Sequence, residues 1–260
     1  MNNSTVKFFS SKVFSETKII HGFFTRNGGK SNKPFDSLNC SFSSGDDNLN
    51  VIENINVAKQ KLKLKHTETK FLTQIHGIHV ELIDNRNLNE ETVADGSITQ
   101  KKNISLAVLT ADCAPIFLAD LNNNIICAIH SGWRGCLNNI ILEASIKIKD
   151  IIKSSKDIIA IIGPCINQEN FEVDEIFKKK FIIKNSNYEI FFKKNIENNR
   201  IYFDMRGLID KQLRESSINN IFHINKDTYT EESLFFSHRR TTKRSTQLTG
   251  RMINIIGFKQ

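Results

Sequence analysis

Residues 104–135 read ISLAVLTADCAPIFLADLNNNIICAIHSGWRG. Within them, 104–110 and 125–129 are nearly continuous apolar runs, the pattern of strands buried on both faces. The first runs into Thr110-Ala111-Asp112-Cys113 and the second into His130-Ser131-Gly132-Trp133-Arg134-Gly135. One strand that stops at a cysteine and another that stops at a histidine bring a soft nucleophile and an imidazole to one sheet edge. Open α/β sheets place their sites at such edges. Asn122-Asn123-Asn124 joins the two strands in a hairpin-like return. Apolar residues at 137, 140, 141, 144, 148 and 151 then mark a long helix. The 130–135 loop aims its backbone N–H groups at anything bound there, and the helix N-terminus favours an anion.

Strand signals recur on both sides of this stretch. Residues 6–9 and 21–25 read as short strands, and Arg26-Asn27-Gly28-Gly29 follows as a turn. The polar segment running on to Asp47 is long for a bare connection, which marks it as functional. Arg26, Ser37 and Asn39 are its candidate ligand contacts. Val51, Ile55, Ala58 and Leu62 predict an amphipathic helix over 50–64. Residues 70–75 read as a strand delivering His76, which gives that histidine the same placement as Cys113 and His130. Further strands are predicted at 79–83, 97–99, 158–162, 188–192, 200–203, 221–224 and 252–258. Helices are predicted at 173–181 and, capped by Asp204, through Met205, Leu208, Ile209 and Leu213. Residues 241–251 read as a basic, polar loop. No repeat, linker or composition break divides the chain, so one α/β domain over 1–260 with a mixed sheet is expected.

The chain carries 36 Lys and Arg against 28 Asp and Glu, a net charge of +8. Its lysines are scattered, as at 59, 61, 63 and 65, 178–180, and 193–194. Scattered lysines predict a solvated basic surface rather than a nucleic-acid groove, with at most a field that steers anions such as phosphate. The N-terminal stretch has no apolar h-region and no run approaches membrane-spanning length, so a soluble cytoplasmic protein is expected. The five cysteines, Cys40, Cys113, Cys127, Cys136 and Cys165, include no CxxC pair. An odd number without an export signal predicts free thiols, with one or more used for metal or catalysis. No extended coiled coil suggests assembly, and a monomer is the expectation.

His76, Cys113 and His130 are a candidate metal set, since zinc takes thiolate and imidazole and a catalytic site keeps one position open. The same residues support a Cys113 nucleophile with His130 as its base, or a buried thiol beside two hydrogen-bonded histidines. Both chemical readings need a thiolate. His76 favours the metal, because a dyad needs only one imidazole. His79, three residues on, points to the opposite face of an extended segment. Arg26, Arg134, Arg239, Arg240 and Arg251 offer guanidinium groups suited to phosphate. Trp133, the single tryptophan, offers a face for a planar ring. Asp95 and Asp112 are carboxylates that orient a ligating histidine or serve as acid or base.

Seven segments occur in an informative order: Phe24-Thr25-Arg26-Asn27-Gly28-Gly29, Ser37-Leu38-Asn39, Gln74-Ile75-His76-Gly77, Thr110-Ala111-Asp112-Cys113-Ala114-Pro115, His130-Ser131-Gly132-Trp133-Arg134-Gly135, Ile162-Gly163-Pro164-Cys165 and Phe235-Phe236-Ser237-His238-Arg239-Arg240. With them the chain resembles, over nearly its whole length, the laccase-domain family. That family is also called the multicopper polyphenol oxidases and is described as purine nucleoside phosphorylases. The resemblance implies an α/β/β/α layered sandwich with mixed sheets, related to proposed cysteine hydrolases. It implies zinc on His76, Cys113 and His130. It also implies phosphorolysis of adenosine, inosine and methylthioadenosine, with adenosine deamination as a further activity.

On this reading Arg26 and Arg134 hold phosphate, Asn39, Trp133 and Arg239 add substrate contacts, and Asp112 is the acid that helps the purine leave. Copper competes for the same donors, but a multicopper cluster is not expected, since the chain has seven histidines and no His-x-His pair. The chain departs from the family where Asp227-Thr228-Tyr229-Thr230 stands in place of a Cys-Thr pair, where His238 stands for a tyrosine, and in a longer 241–248 loop. A Cys113–His130 amide hydrolase, a copper-dependent polyphenol oxidase and a non-catalytic binding protein remain the alternatives.

Overall fold

A computed structural model describes residues 5–152, 157–246 and 248–260. Residues 1–4 of the N-terminal stretch and Gln247 of the basic loop lie outside them. The apolar runs pair into two large mixed sheets. One orders the strands Phe8–Phe9, Ile19–Phe24, Met252–Phe258, Ile104–Thr110 and Glu68–Lys70. The other orders Asn220–His223, Ile159–Ile162, Ala114–Asp120, Ile125–Ser131, Gly96–Thr99 and Val80–Leu82. A small third sheet joins Glu172–Val173, Ile201–Phe203 and Phe192–Lys194.

Strand periodicity of two explains the layering. Leu106, Val108 and Ile256 of the first sheet meet Phe117, Ala128 and Ile161 of the second in a core between the sheets. The alternate residues Ala107, Ile253 and Ile255 pack outward on Val51, Ile55 and Ala58 of the helix Asn48–Lys61. On the far side, Ile116, Leu118, Cys127 and Ile129 pack on the helices Ile140–Ile152 and Met205–Glu215. Each central strand is therefore covered on both faces, which is why it reads as a solid apolar run. The order helix, sheet, sheet, helix is the expected layered α/β/β/α sandwich.

Some expectations need correction. Residues 104–110 and 125–131 do not form a hairpin, because they belong to different sheets. The hairpin partner of Ile125–Ser131 is Ala114–Asp120, paired from Ala114↔Ser131 to Asp120↔Ile125. Residues 111–113 are thus a crossover from one sheet to the other, and Cys113 and His130 meet at the seam between sheets, not along one edge. Residues 71–75 are not a strand, since pairing with Ile104–Thr110 ends at Lys70. There the side-chain amide of Gln74 substitutes for a ladder, donating to the Leu109 carbonyl at 2.9 Å and accepting from its N–H at 2.8 Å. The long helix after Gly135 is two helices, Trp133–Leu137 and Ile140–Ile152, parted at Asn139 with φ of 62°. Residues 186–191 form a 3-10 turn, and the helix His238–Lys243 takes in the first three residues, 241–243, of the expected loop.

Candidate metal centre

His76, Cys113 and His130 converge, their ligand atoms all within 4.8 Å of one another. Among the described residues this is the one cluster of three such donors. The Cys113 Sγ lies 3.8 Å from His76 Nε2, and the two imidazoles meet edge to face at 4.8 Å. His130 is buried near the end of its strand, while His76 and Cys113 are half-buried. Two imidazoles and a thiol in partial contact with a cavity are a donor set that fits zinc.

Asp95 builds the centre from behind. Its carboxylate is fully buried and meets His130 Nδ1 at 2.7 Å. It also accepts the backbone N–H groups of Ile75, His76 and Gly77 at 3.2, 2.9 and 2.6 Å. Three successive amides converging on one anion form a nest, and His76 takes φ of 62° to make it. One carboxylate therefore sets both the loop that carries His76 and the ring of His130. With Nδ1 engaged, the His130 Nε2 is left to face Cys113.

Charge reinforces the geometry. Burial alone would push the Cys113 thiol up, but the neighbouring His130 charge and hydrogen bonds from His130 and His76 bring it down to about 6. Burial works against His130 in turn, and the Cys113 thiolate with Asp95 lifts it to about 9. Asp95 is opposed by burial too, yet its bonds from His130 and the Gly77 and Ile75 amides hold it below the usual carboxylate range. The other four cysteines are buried, and burial raises their thiols.

The centre opens into a cavity of about 840 Å³. Asp112, Trp133, Arg134 and Arg239 line it with His76 and Cys113. The Arg134 guanidinium lies 4.7 Å over Trp133, and that ring meets Phe177 at 5.2 Å. Arg239 donates to the Glu172 carbonyl at 2.6 Å and lies 5.3 Å over Phe171. Asp112, with φ of 87°, accepts from Thr228 Oγ1 at 2.7 Å, Ser237 Oγ at 2.9 Å and the Arg239 N–H at 2.6 Å.

Arg26 and Asn39 do not line this cavity. Arg26 is tied to Asp36, through its carbonyl at 2.6 Å and its carboxylate at 3.2 Å, and stacks 4.4 Å over Phe236. Asn39 is fully buried, donating to Ser44 and Asp46 and accepting the Arg251 N–H at 2.9 Å. Both side chains hold the long polar loop against the sheet. Arg240 is buried, donating to the carbonyls of Thr228, Tyr229 and Phe235. The sequence reading missed the far wall, Phe171, Glu172 and Phe177. Its only signal was the concentration of phenylalanines between 171 and 203, which pack together beside the third sheet.

Fold and centre together define a layered α/β protein with a His-Cys-His cluster that reaches the wall of a polar and aromatic cavity through His76 and Cys113. The chain belongs to the family described as multi-copper polyphenol oxidoreductase laccase, which matches residues 20–259. It is 40% identical over 177 residues to a purine nucleoside phosphorylase of Rickettsia conorii, covering 68% of this chain and 72% of that one. It is 32% identical over 244 residues to the purine nucleoside phosphorylase of Haemophilus influenzae, covering 93% and 96%. Among solved structures, the hypothetical protein YfiH of Bacillus licheniformis superposes with a TM-score of 0.88 at 27% identity, over 98% of this chain and 99% of that one.

Proposed function

We propose that the chain is a zinc-dependent purine nucleoside phosphorylase, converting adenosine, inosine or methylthioadenosine and phosphate to free base and ribose 1-phosphate, with adenosine deamination as a second activity. The observation that carries this is the convergence of His76, Cys113 and His130, with His76 and Cys113 at the wall of a cavity that also presents guanidinium groups and aromatic faces. Relatives named purine nucleoside phosphorylase support it. Zinc suits two imidazoles and one thiolate, and copper competes at the same donors. When bound, the metal supplies Lewis acidity to a substrate in the cavity.

The chain's own residues do the rest. In phosphorolysis a phosphate oxygen bonds to the ribose anomeric carbon as the bond to the purine nitrogen breaks. The electron pair leaves with the base, which takes up a proton as the hydrogen phosphate gives one up. Arg134 and Arg239 face the cavity and hold the phosphate; Arg26, committed to Asp36, gives up that role. Trp133 with Phe171 and Phe177 offers faces for the purine. Asp112 already accepts three hydrogen bonds, so it is a positioning residue that fixes the backbone of Arg239 rather than the acid. The whole chain acts as one domain and one copy, in the cytoplasm, a reducing compartment that suits its five free thiols. No described helix is long and apolar enough to cross a membrane.

A second reading has its own observation. Without metal, a low-pKa Cys113, His130 and Asp95 form a nucleophile, base and orienter sequence, as an amide hydrolase would use. A polyphenol oxidase needs several coppers, and the described residues offer one three-donor cluster. Product analysis with adenosine, with and without phosphate, separates these readings. Adenine and ribose 1-phosphate appearing only with phosphate support the phosphorylase. Inosine alone makes deamination primary, and no purine product overturns the proposal.

A further inference from the structure

His238 opens the helix His238–Lys243 and lines the cavity with His76 and Asp112. Its neighbours on both sides are fixed to one carboxylate. Ser237 Oγ donates to Asp112 Oδ2 at 2.9 Å, and the Arg239 N–H donates to the same oxygen at 2.6 Å. Ser237 also caps the helix, accepting the Arg240 N–H at 3.1 Å. The backbone of His238 is therefore held in place, while among the described residues its ring nitrogens have no hydrogen-bond partner. The side chain of His238 is exposed on the cavity wall, so its imidazole is available to a ligand.

Burial and the Arg251 charge lower the His238 pKa against the pull of Asp112, and Arg239 and His76 add to the lowering. A neutral imidazole presents one donor and one acceptor. The other lining groups do not offer both. Thr242 Oγ1 already donates to the His238 carbonyl at 2.9 Å. His76 and Cys113 face each other in the centre at 3.8 Å. Trp133, Arg134, Arg239 and Lys243 only donate, and the carboxylates only accept. A phosphate calls for donors alone and a purine face for aromatic rings. A sugar hydroxyl both donates and accepts, so it can pair with His238 in either sense, whereas the carboxylates of Glu172 and Asp174 can take only its proton.

We propose that His238 is a substrate-contacting residue that hydrogen-bonds the ribose 2′,3′-diol of the nucleoside, so that the chain discriminates ribonucleosides from their deoxy analogues. This rests on the nucleoside reading above. The test is calorimetric binding of inosine, 2′-deoxyinosine and 3′-deoxyinosine, which carry no amino group to lose, without phosphate, to the metal-loaded wild type, His238→Ala and His238→Gln. The wild type should bind inosine about tenfold more tightly than at least one deoxy analogue, the effect of one hydrogen bond. His238→Ala should reduce that ratio to about twofold or less, and His238→Gln, which keeps a donor and an acceptor, should restore part of it. An undiminished ratio in a folded His238→Ala, or no discrimination in the wild type, overturns this assignment and leaves the nucleoside reading standing. A wild type that binds none of the three overturns both.

Discussion

His130 and Asp95 share one short hydrogen bond, Nδ1 to Oδ1 at 2.7 Å, and both side chains are buried. The same Asp95 carboxylate receives the backbone N–H of His76 at 2.9 Å, so a single residue outside the candidate ligand set orients two of its members. Orienting partners of this kind are worth roughly 10–100-fold in metal affinity. Asp95→Asn is expected to weaken zinc binding by about that factor, read by competition with a chromophoric chelator. Unchanged affinity would mean that the carboxylate serves only the loop.

Gly132 tests the same centre from the opposite side. A Cβ there would stand 2.7 Å from the His76 ring and 3.0 Å from Cys113 Sγ, while its φ of −81° suits any residue. Gly132→Ala is therefore expected to displace the donors without straining the backbone. Metal affinity should fall about tenfold or more with a small change in melting temperature. Wild-type zinc affinity in this variant would show that the donors have more room than the geometry allows.

Phe117 sits at the middle of the core between the sheets, fully buried and stacked on Phe23 at 4.6 Å. Phe117→Ala should cost about 3–5 kcal/mol of unfolding free energy in urea denaturation. A loss below about 1 kcal/mol would contradict the packing of the two sheets described above.

In metal-free protein the titration of Cys113 has a definite sign. Its native pKa, about 6, lies below the ordinary 9.0, so the stability it contributes is present above 9 and lost as pH falls through about 6. His130 is raised from 6.5 to about 9, so its contribution is present below 6.5 and lost as pH rises through about 9. The thiolate–imidazolium pair is thus populated between about 6 and 9. Iodoacetamide should alkylate Cys113 with a midpoint near 6, because the thiolate is the nucleophile. A midpoint near that of a free thiol would contradict the pairing.

The central strands were legible because burial on both faces leaves mostly apolar residues, as in Ile104–Thr110 and Met252–Phe258. Which sheet each strand joined was not legible. Nothing local in Ala111-Asp112-Cys113 signals a crossover, and Ala114–Asp120 begins with Ala-Pro, which masks a strand. His76 was identified as a site residue on a mistaken strand, since its placement depends on a side chain, Gln74, imitating backbone pairing. Arg26 and Asn39 looked like ligand contacts because a loop's internal polar partners, here Asp36 and Ser44, cannot be told from external ones by residue type. The Phe171 and Phe177 wall lies outside every motif in sequence and is brought to the cavity only by the fold.

If His76, Cys113 and His130 hold the metal on which phosphorolysis depends, turnover must follow metal content. The most direct measurement is the rate of ribose 1-phosphate formation from adenosine and phosphate in one preparation as isolated, after chelation and after zinc is restored, with metal content determined at each stage. About one zinc per chain, a rate lost on chelation and recovered with zinc, and neither bound metal nor turnover in Cys113→Ala are the predicted results. Full turnover by fully chelated protein would rule out metal dependence, and its abolition by alkylation of Cys113 would point to the cysteine nucleophile instead.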